Sequence, residues 1–188
     1  HLGFSRQDLD APPSLSDLLR EVLTAIAPFR DKAGRDIPVF VAGGVKNGAD
    51  MARYMKEGAA GAQFATRFIA TAECDASDGY KQRLLNASPG DITLVKSPVG
   101  MPGRALRSPL IRRVEDGTQP PPDRCMKCIT TCDGKNAPYC ISRALIAARN
   151  GDWENGLFFC GANAGEINTL STVQQQMAQI MDEWRNAQ

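Results

Sequence analysis

Two short stretches of this chain have the residue types and spacing to hold an anion. The apolar run Ile37-Pro38-Val39-Phe40-Val41 breaks at Ala42 into Gly43-Gly44, and a second run, starting near Ala60, breaks into Gln63-Phe64-Ala65-Thr66. Adjacent parallel strands that each end in a small-residue loop can aim several backbone N–H groups at one phosphate. Glycines permit the close approach and the positive φ that such a cradle needs. Thr66 adds a hydroxyl and an N–H, and Gln63 adds a side-chain amide. In an (α/β) barrel the loops after strands 7 and 8 hold a phosphate in this way. Gly43-Gly44 as a plain strand-to-helix turn remains the alternative, and the second loop at barrel spacing favours a ligand.

Cysteines form the other chemical cluster. Of the six, Cys125, Cys128, Cys132 and Cys140 follow the pattern C-x2-C-x3-C-x7-C, whereas Cys74 and Cys160 fall outside it and read as packing residues. Thiolates at this spacing can converge on Zn²⁺ or a [4Fe–4S] cluster. Reduced structural thiols are the open alternative. Arg104, Arg107, Arg112 and Arg113 could hold an anionic substrate, although a solvated face explains them more simply. Met101 and Pro102 are placed to border a ligand. The single histidine is His1.

Several elements must position these groups. Leu15, Leu18, Leu19, Val22, Leu23 and Ile26 recur at helical spacing, which predicts a helix over residues 14–29 with Ser14 and Asp17 at its start. Residues 37–41 read as a short strand buried on both faces. Asn47 can cap a helix over residues 48–57, which Gly58 stops and whose positive end faces the glycine pair. Residues 60–64 complete a strand–helix–strand crossover. Further on, residues 77–87, 139–150 and 169–187 read as helices, and residues 92–96 as a strand. Met177 and Trp184 are expected to make core contacts in the last helix. The Pro-, Gly- and Arg-rich residues 97–122 read as a long ordered loop with a short apolar segment near residues 110–114. The character of the chain changes between residues 70 and 90.

The overall charge balance narrows the partners. A net charge of +1 with 23% charged residues gives no electrostatic bias toward nucleic acid or membrane surfaces. No apolar run approaches the roughly 18 residues that a membrane-spanning helix needs. Neither a signal peptide nor an initiator Met opens the chain, so a cytoplasmic protein that is processed, excised or incompletely represented is expected.

The segment VAGGVKNGADMARYMKEGAAGAQFATRF resembles the C-terminal barrel segment of the nitronate monooxygenase family, formerly called 2-nitropropane dioxygenases. SPVGMPGRALRSP and PYCISRALIAARNGDWENGLFFCGANAGEI resemble the tails of its members. The family also includes flavin-dependent enoyl-acyl-carrier-protein reductases. The resemblance implies an α/β fold: the C-terminal portion of a TIM (β/α)8 barrel, with two parallel strands and their helices, plus a helical, cysteine-containing C-terminal extension. The implied division is residues 1–75 for the barrel segment with its FMN phosphate loops, and residues 76–188 for the extension with the cysteine cluster.

By the same resemblance the cofactor is FMN, contacted by Gly43, Gly44, Gln63, Phe64, Ala65 and Thr66. Ala65 departs from the family's usual glycine. His1-Leu2-Gly3 matches the end of the family's Glu-Ala-Gly-Gly-His-x-Gly motif, in which the histidine takes the α-proton of a nitroalkane or nitronate; a histidine suits this role because it titrates near neutrality. An affinity-tag remnant is the alternative origin of His1. The implied reaction is oxidation of nitronates or nitroalkanes with O₂. NAD(P)H-dependent reduction of an enoyl thioester is the runner-up, and a non-catalytic phosphate-binding or cysteine-rich metal module is the reading from a different class. Expected partners are a small-molecule substrate, the missing N-terminal part of the barrel and a second copy of the chain in a homodimer, with neither nucleic acid nor membrane. A TIM barrel typically needs about 250 residues, so the chain is expected to be a piece of a larger protein that binds FMN weakly or not at all alone.

Overall fold

The computed structural model describes residues 13–100, 102–130 and 132–188; His1 and Met101 lie outside them. Helix α1 spans Leu15–Ile26, with Ser14 as its N-cap. The Ser14 hydroxyl accepts the Asp17 N–H at 3.1 Å and donates to the Asp17 carboxylate at 2.6 Å. The helix ends at Ile26 with Ala27 as its C-cap, and Pro28, which has no N–H to donate, cannot extend its hydrogen-bond ladder. Its apolar stripe, Leu15, Leu19 and Leu23, packs on Val41, Tyr54 and Ala59.

Strand β1 (Phe40–Ala42), helix α2 (Gly48–Lys56) and strand β2 (Gly61–Gln63) form the predicted crossover. The two strands pair in parallel, with Phe40 opposite Gly61, Val41 opposite Ala62 and Ala42 opposite Gln63. The sequence reading is corrected in one respect: β1 is not buried on both faces. Val41 is 3% exposed whereas Phe40 is 63% exposed. Helices α1 and α2 cover one face of the pair, and the Phe40 ring lies along the other, against Gly61. A Cβ at Gly61 would stand 3.0 Å from that ring.

Beyond β2 come a short helix α3 (Thr66–Ile69) and helix α4 (Asp78–Leu85). Within the expected ordered loop over residues 97–122, the structure adds a strand, and the expected apolar segment near residues 110–114 is helical. Strand β3 (Ile92–Val95) pairs in antiparallel fashion with β4 (Gly103–Leu106), and α5 (Pro109–Glu115) follows. Local propensity conceals β4 behind Gly and Arg, and long-range pairing supplies the strand. Gly103 is required there because a Cβ would stand 2.4 Å from the Phe159 ring. Helices α6 (Ile141–Arg149) and α7 (Val173–Asn186) complete the chain.

The largest apolar cluster joins Val95, Ala105, Leu110, Ile111, Tyr139, Ile141, Ala144 and Leu157. Beside it, Phe158 is fully buried with Leu106 and Ala148, and the Tyr80 ring meets it edge-on at 4.9 Å. In α7 the buried side chains are Gln176 and Ile180; Met177, expected in the core, is 48% exposed. Helix α7 returns to pack across α2, placing Gly48 under Ile180 and Trp184. Arg107 and Arg113 are structural ties: Arg107 pairs with Glu115 at 3.1 Å, and Arg113 donates to the Glu154 carbonyl at 2.8 Å.

Ser108 is fully buried, and its hydroxyl donates to the Gly156 carbonyl at 2.8 Å. Ser108→Ala leaves that buried carbonyl without its donor. The expected loss is about 1–3 kcal/mol of stability, read as a lower denaturant midpoint at unchanged slope.

Candidate functional site

The register of β1 and β2 puts Ala42 beside Gln63, so the two expected loops start side by side. Gly43 and Gly44 both adopt left-handed backbone, at φ +84° and +82°. Two consecutive positive φ values are adopted at little cost only if both residues are glycine. A Cβ at either position would meet nothing within 4 Å. The glycines are therefore not there to make room for a packed neighbour. They turn the backbone toward open space.

Helix α2 begins directly after this turn, but its first donors are already engaged. Asn47 accepts the Asp50 N–H at 2.9 Å, and Asp50 accepts the Lys46 N–H at 2.9 Å. The Gly48 N–H donates to Glu183 of α7, also at 2.9 Å. These three N–H groups are therefore already paired within the fold. On the second loop Gln63 and Ala65 are exposed, and Phe64 and Thr66 are half-buried. Ala65 takes φ −132°, so the position does not use the left-handed backbone that favours glycine.

A third segment, unforeseen as part of this site, joins the two loops. The Gly161 N–H donates to the Thr66 hydroxyl at 2.8 Å, and the Asn163 side-chain amide donates to the Gly44 carbonyl at 3.1 Å. Gly161 and Asn163 are two residues apart, a reach of at most about 7 Å, so one short piece of backbone clips both loops together. Because the Thr66 oxygen accepts from Gly161, its hydroxyl proton can point elsewhere. Lys46 extends the clip through a 2.7 Å ion pair with Glu166, which raises the lysine pKa. The visible signal for this segment was its run of small residues, Gly161-Ala162-Asn163-Ala164-Gly165, which reads as a loop but does not say what the loop touches.

The four patterned cysteines gather around one small cavity, of about 120 Å³, between residues 124–134 and the start of α6. Among the described residues, no group of three or more His, Cys, Asp or Glu side chains stands ready to hold a metal ion. The expected ligands thus share a cavity without meeting at one centre, because the loop carrying Cys125 and Cys128 lies open, with both residues exposed. Burial pushes the Cys132 thiol pKa up, and the neighbouring thiols of Cys125, Cys140 and Cys128 add to the shift. Cys160 lies apart, packed in the core, its thiol pushed up to about 12 by burial. No helix among the described residues is long and apolar enough to cross a membrane.

A sequence model of the nitronate monooxygenase family matches residues 1–183. An indene-carboxyl-CoA dehydrogenase of Mycobacterium tuberculosis is 35% identical over 108 residues, which is 57% of this chain and 29% of that protein. A Staphylococcus saprophyticus protein named "Probable nitronate monooxygenase" is 30% identical over 88 residues, 47% of this chain and 25% of that protein. Among solved structures, FabK from Thermotoga maritima superposes with a TM-score of 0.70 at 28% identity, over 92% of this chain and 49% of that one. A nitroalkane oxidase from Streptomyces ansochromogenes shares the fold at a TM-score of 0.69 and 24% identity, over 98% of this chain and 47% of that one. The chain thus spans about half the length of these solved structures and 29% or less of the curated relatives.

Proposed function

This chain belongs to the nitronate monooxygenase family, and on that premise we propose that the full-length protein is an FMN-dependent oxidoreductase that oxidises nitronates or nitroalkanes with O₂. The observation that carries this reading is the pair of left-handed glycines opening onto free space beside Thr66, clipped to it by 161–163. A phosphate fits this arrangement because nothing lies within 4 Å of a Cβ at either glycine, and their left-handed backbone can present N–H groups to an anion.

In this reading residues 1–75 are the closing part of a TIM barrel and residues 76–188 are its extension. The exposed Phe40 face and the two-stranded sheet are where the remaining barrel strands pack. Gly43, Gly44, Gln63, Phe64, Ala65 and Thr66 hold the FMN phosphate end. FMN, when bound, supplies the two-electron chemistry. His1 takes the α-proton of the substrate, which requires its imidazole to be neutral. The protein works in the cytoplasm on a small molecule, alone or as a homodimer. The chain by itself, without the other barrel strands, holds FMN weakly.

The test is turnover by the full-length protein. Consumption of O₂ with propionate-3-nitronate, lost in His1→Asn, is the expected result; failure to bind FMN at all would leave a non-catalytic module. A second reading is favoured by the likeness to FabK: an NAD(P)H-dependent enoyl-thioester reductase using the same phosphate site. Flavin reduction by NAD(P)H followed by turnover of an enoyl thioester would select it.

Asn163 supplies a prediction of its own. Its amide fixes the Gly44 carbonyl and thereby the direction of the following N–H. Asn163→Ala removes one hydrogen bond of about 1 kcal/mol, and FMN affinity in the full-length protein is expected to fall about fivefold. Fluorescence titration of the flavin measures this, and an unchanged Kd would remove Asn163 from the site.

A further inference from the structure

We propose that Cys125, Cys128, Cys132 and Cys140 form a metal site that takes a thiophilic metal centre, either one zinc ion or an iron–sulfur cluster. Three observations beyond the spacing carry this. First, all four cysteines are among the residues that line one cavity of about 120 Å³, with Ile129 and Ile146 also in its wall. Second, the Cys125–Cys128 turn already has the form of a ligand knuckle. The Lys127 N–H donates to the Cys125 sulfur at 3.4 Å, and Lys127 sits at φ +51°, the one non-glycine residue with positive φ among the described residues. A lysine in that region is uncommon and costs energy. Here the strain aims a backbone N–H at a sulfur, as is useful when that sulfur is a thiolate. Third, the loop closes tightly on the same sulfur. A Cβ at Gly134 would stand 2.4 Å from the Cys125 sulfur, so only glycine lets the backbone approach.

The remaining partners suit negatively charged sulfur. Cys140 is the N-cap of the nine-residue helix α6, where the helix dipole favours negative charge. The Ser142 hydroxyl lies 3.5 Å from the Cys128 sulfur. Cys125 and Cys128 are exposed and Cys132 and Cys140 half-buried, so a metal reaches the site from solvent. On binding, each ligating thiol gives its proton to water, and the 125–134 loop draws in so that the thiolates meet at the metal. Capture of Zn²⁺, or of a cluster already assembled with its sulfide, is ligand exchange at the thiolates and involves no electron transfer. The proposal does not rest on the flavin reading, since the site uses none of the phosphate-loop residues.

The experiment is metal and acid-labile sulfide analysis of the full-length protein purified without oxygen, with FMN content measured on the same samples. The expected result is stoichiometric zinc, or iron with matching sulfide, lost in Cys128→Ser and in Cys140→Ser and kept in Cys74→Ser. The two metal outcomes distinguish the single ion from the cluster. In case the variants do not fold, the wild-type protein gives a second readout: four thiols resist a thiol reagent until a strong chelator is added. A protein free of zinc and iron, whose four thiols react at once and which develops no thiolate-to-metal absorption with Co²⁺, would overturn the proposal.

Discussion

Gly44→Val in the full-length protein is expected to weaken FMN binding by at least about tenfold. Gly44 sits at φ +82°, and a β-branched residue there loses roughly 1–2 kcal/mol of folding stability to the left-handed conformation. The affinity loss comes from the new side chain, which projects into open space, with nothing within 4 Å of a Cβ at this position, where the proposed phosphate would sit. A cost of about 1.4 kcal/mol on binding is tenfold in affinity. The same openness means that the variant still folds. Gly34 provides the control, with φ +77° and equally open surroundings in a loop away from the site. Gly34→Val should cost similar stability and leave FMN affinity unchanged. Flavin fluorescence titration of both variants separates backbone strain from ligand contact. Equal affinities in the two variants would remove the glycine pair from the phosphate site.

Gly48→Ala is expected to destabilise the fold although alanine is the better helix former. A Cβ at Gly48 would stand 1.9 Å from the Ile180 carbonyl oxygen and 2.5 Å from the Trp184 nitrogen. Both are backbone atoms of α7, so no rotamer change relieves the overlap and the two helices must separate. Overpacking of this kind costs about 1–3 kcal/mol, beyond the gain of roughly 1 kcal/mol that alanine gives a helix. Separation also strains the Gly48 N–H bond to Glu183, whose carboxylate lies 4.0 Å from the half-buried Arg67. The melting temperature should fall. A rise, as at an exposed helical glycine, would show that α7 does not press on α2 at this point.

The parts of the fold legible in the sequence were those fixed by local signals. Asn47 and Ser14 announced their helices because an N-cap acts within three residues. The two loops proposed to hold the phosphate were legible because each follows a strand directly and is made of residues with few other uses. Strand β4 was hidden, since Gly103 and Arg104 have poor strand propensity and pair only because β3 lies opposite. Asn163 was hidden for the same reason. Its role depends on a chain reversal that brings residues 161–166 over residues 44–46, and no local pattern encodes such a contact. The cysteine spacing was legible, but the left-handed Lys127 and the pressure of Gly134 on Cys125 required the folded loop.

The central claim is that the Gly43-Gly44 and Gln63–Thr66 loops hold the phosphate of FMN. The most direct measurement is a crystal structure of the full-length protein with FMN bound. The account predicts phosphate oxygens within hydrogen-bonding distance of the Gly44 N–H and the Thr66 hydroxyl, with Asn163 still on the Gly44 carbonyl. A phosphate held by other loops, with these two facing solvent, would contradict it.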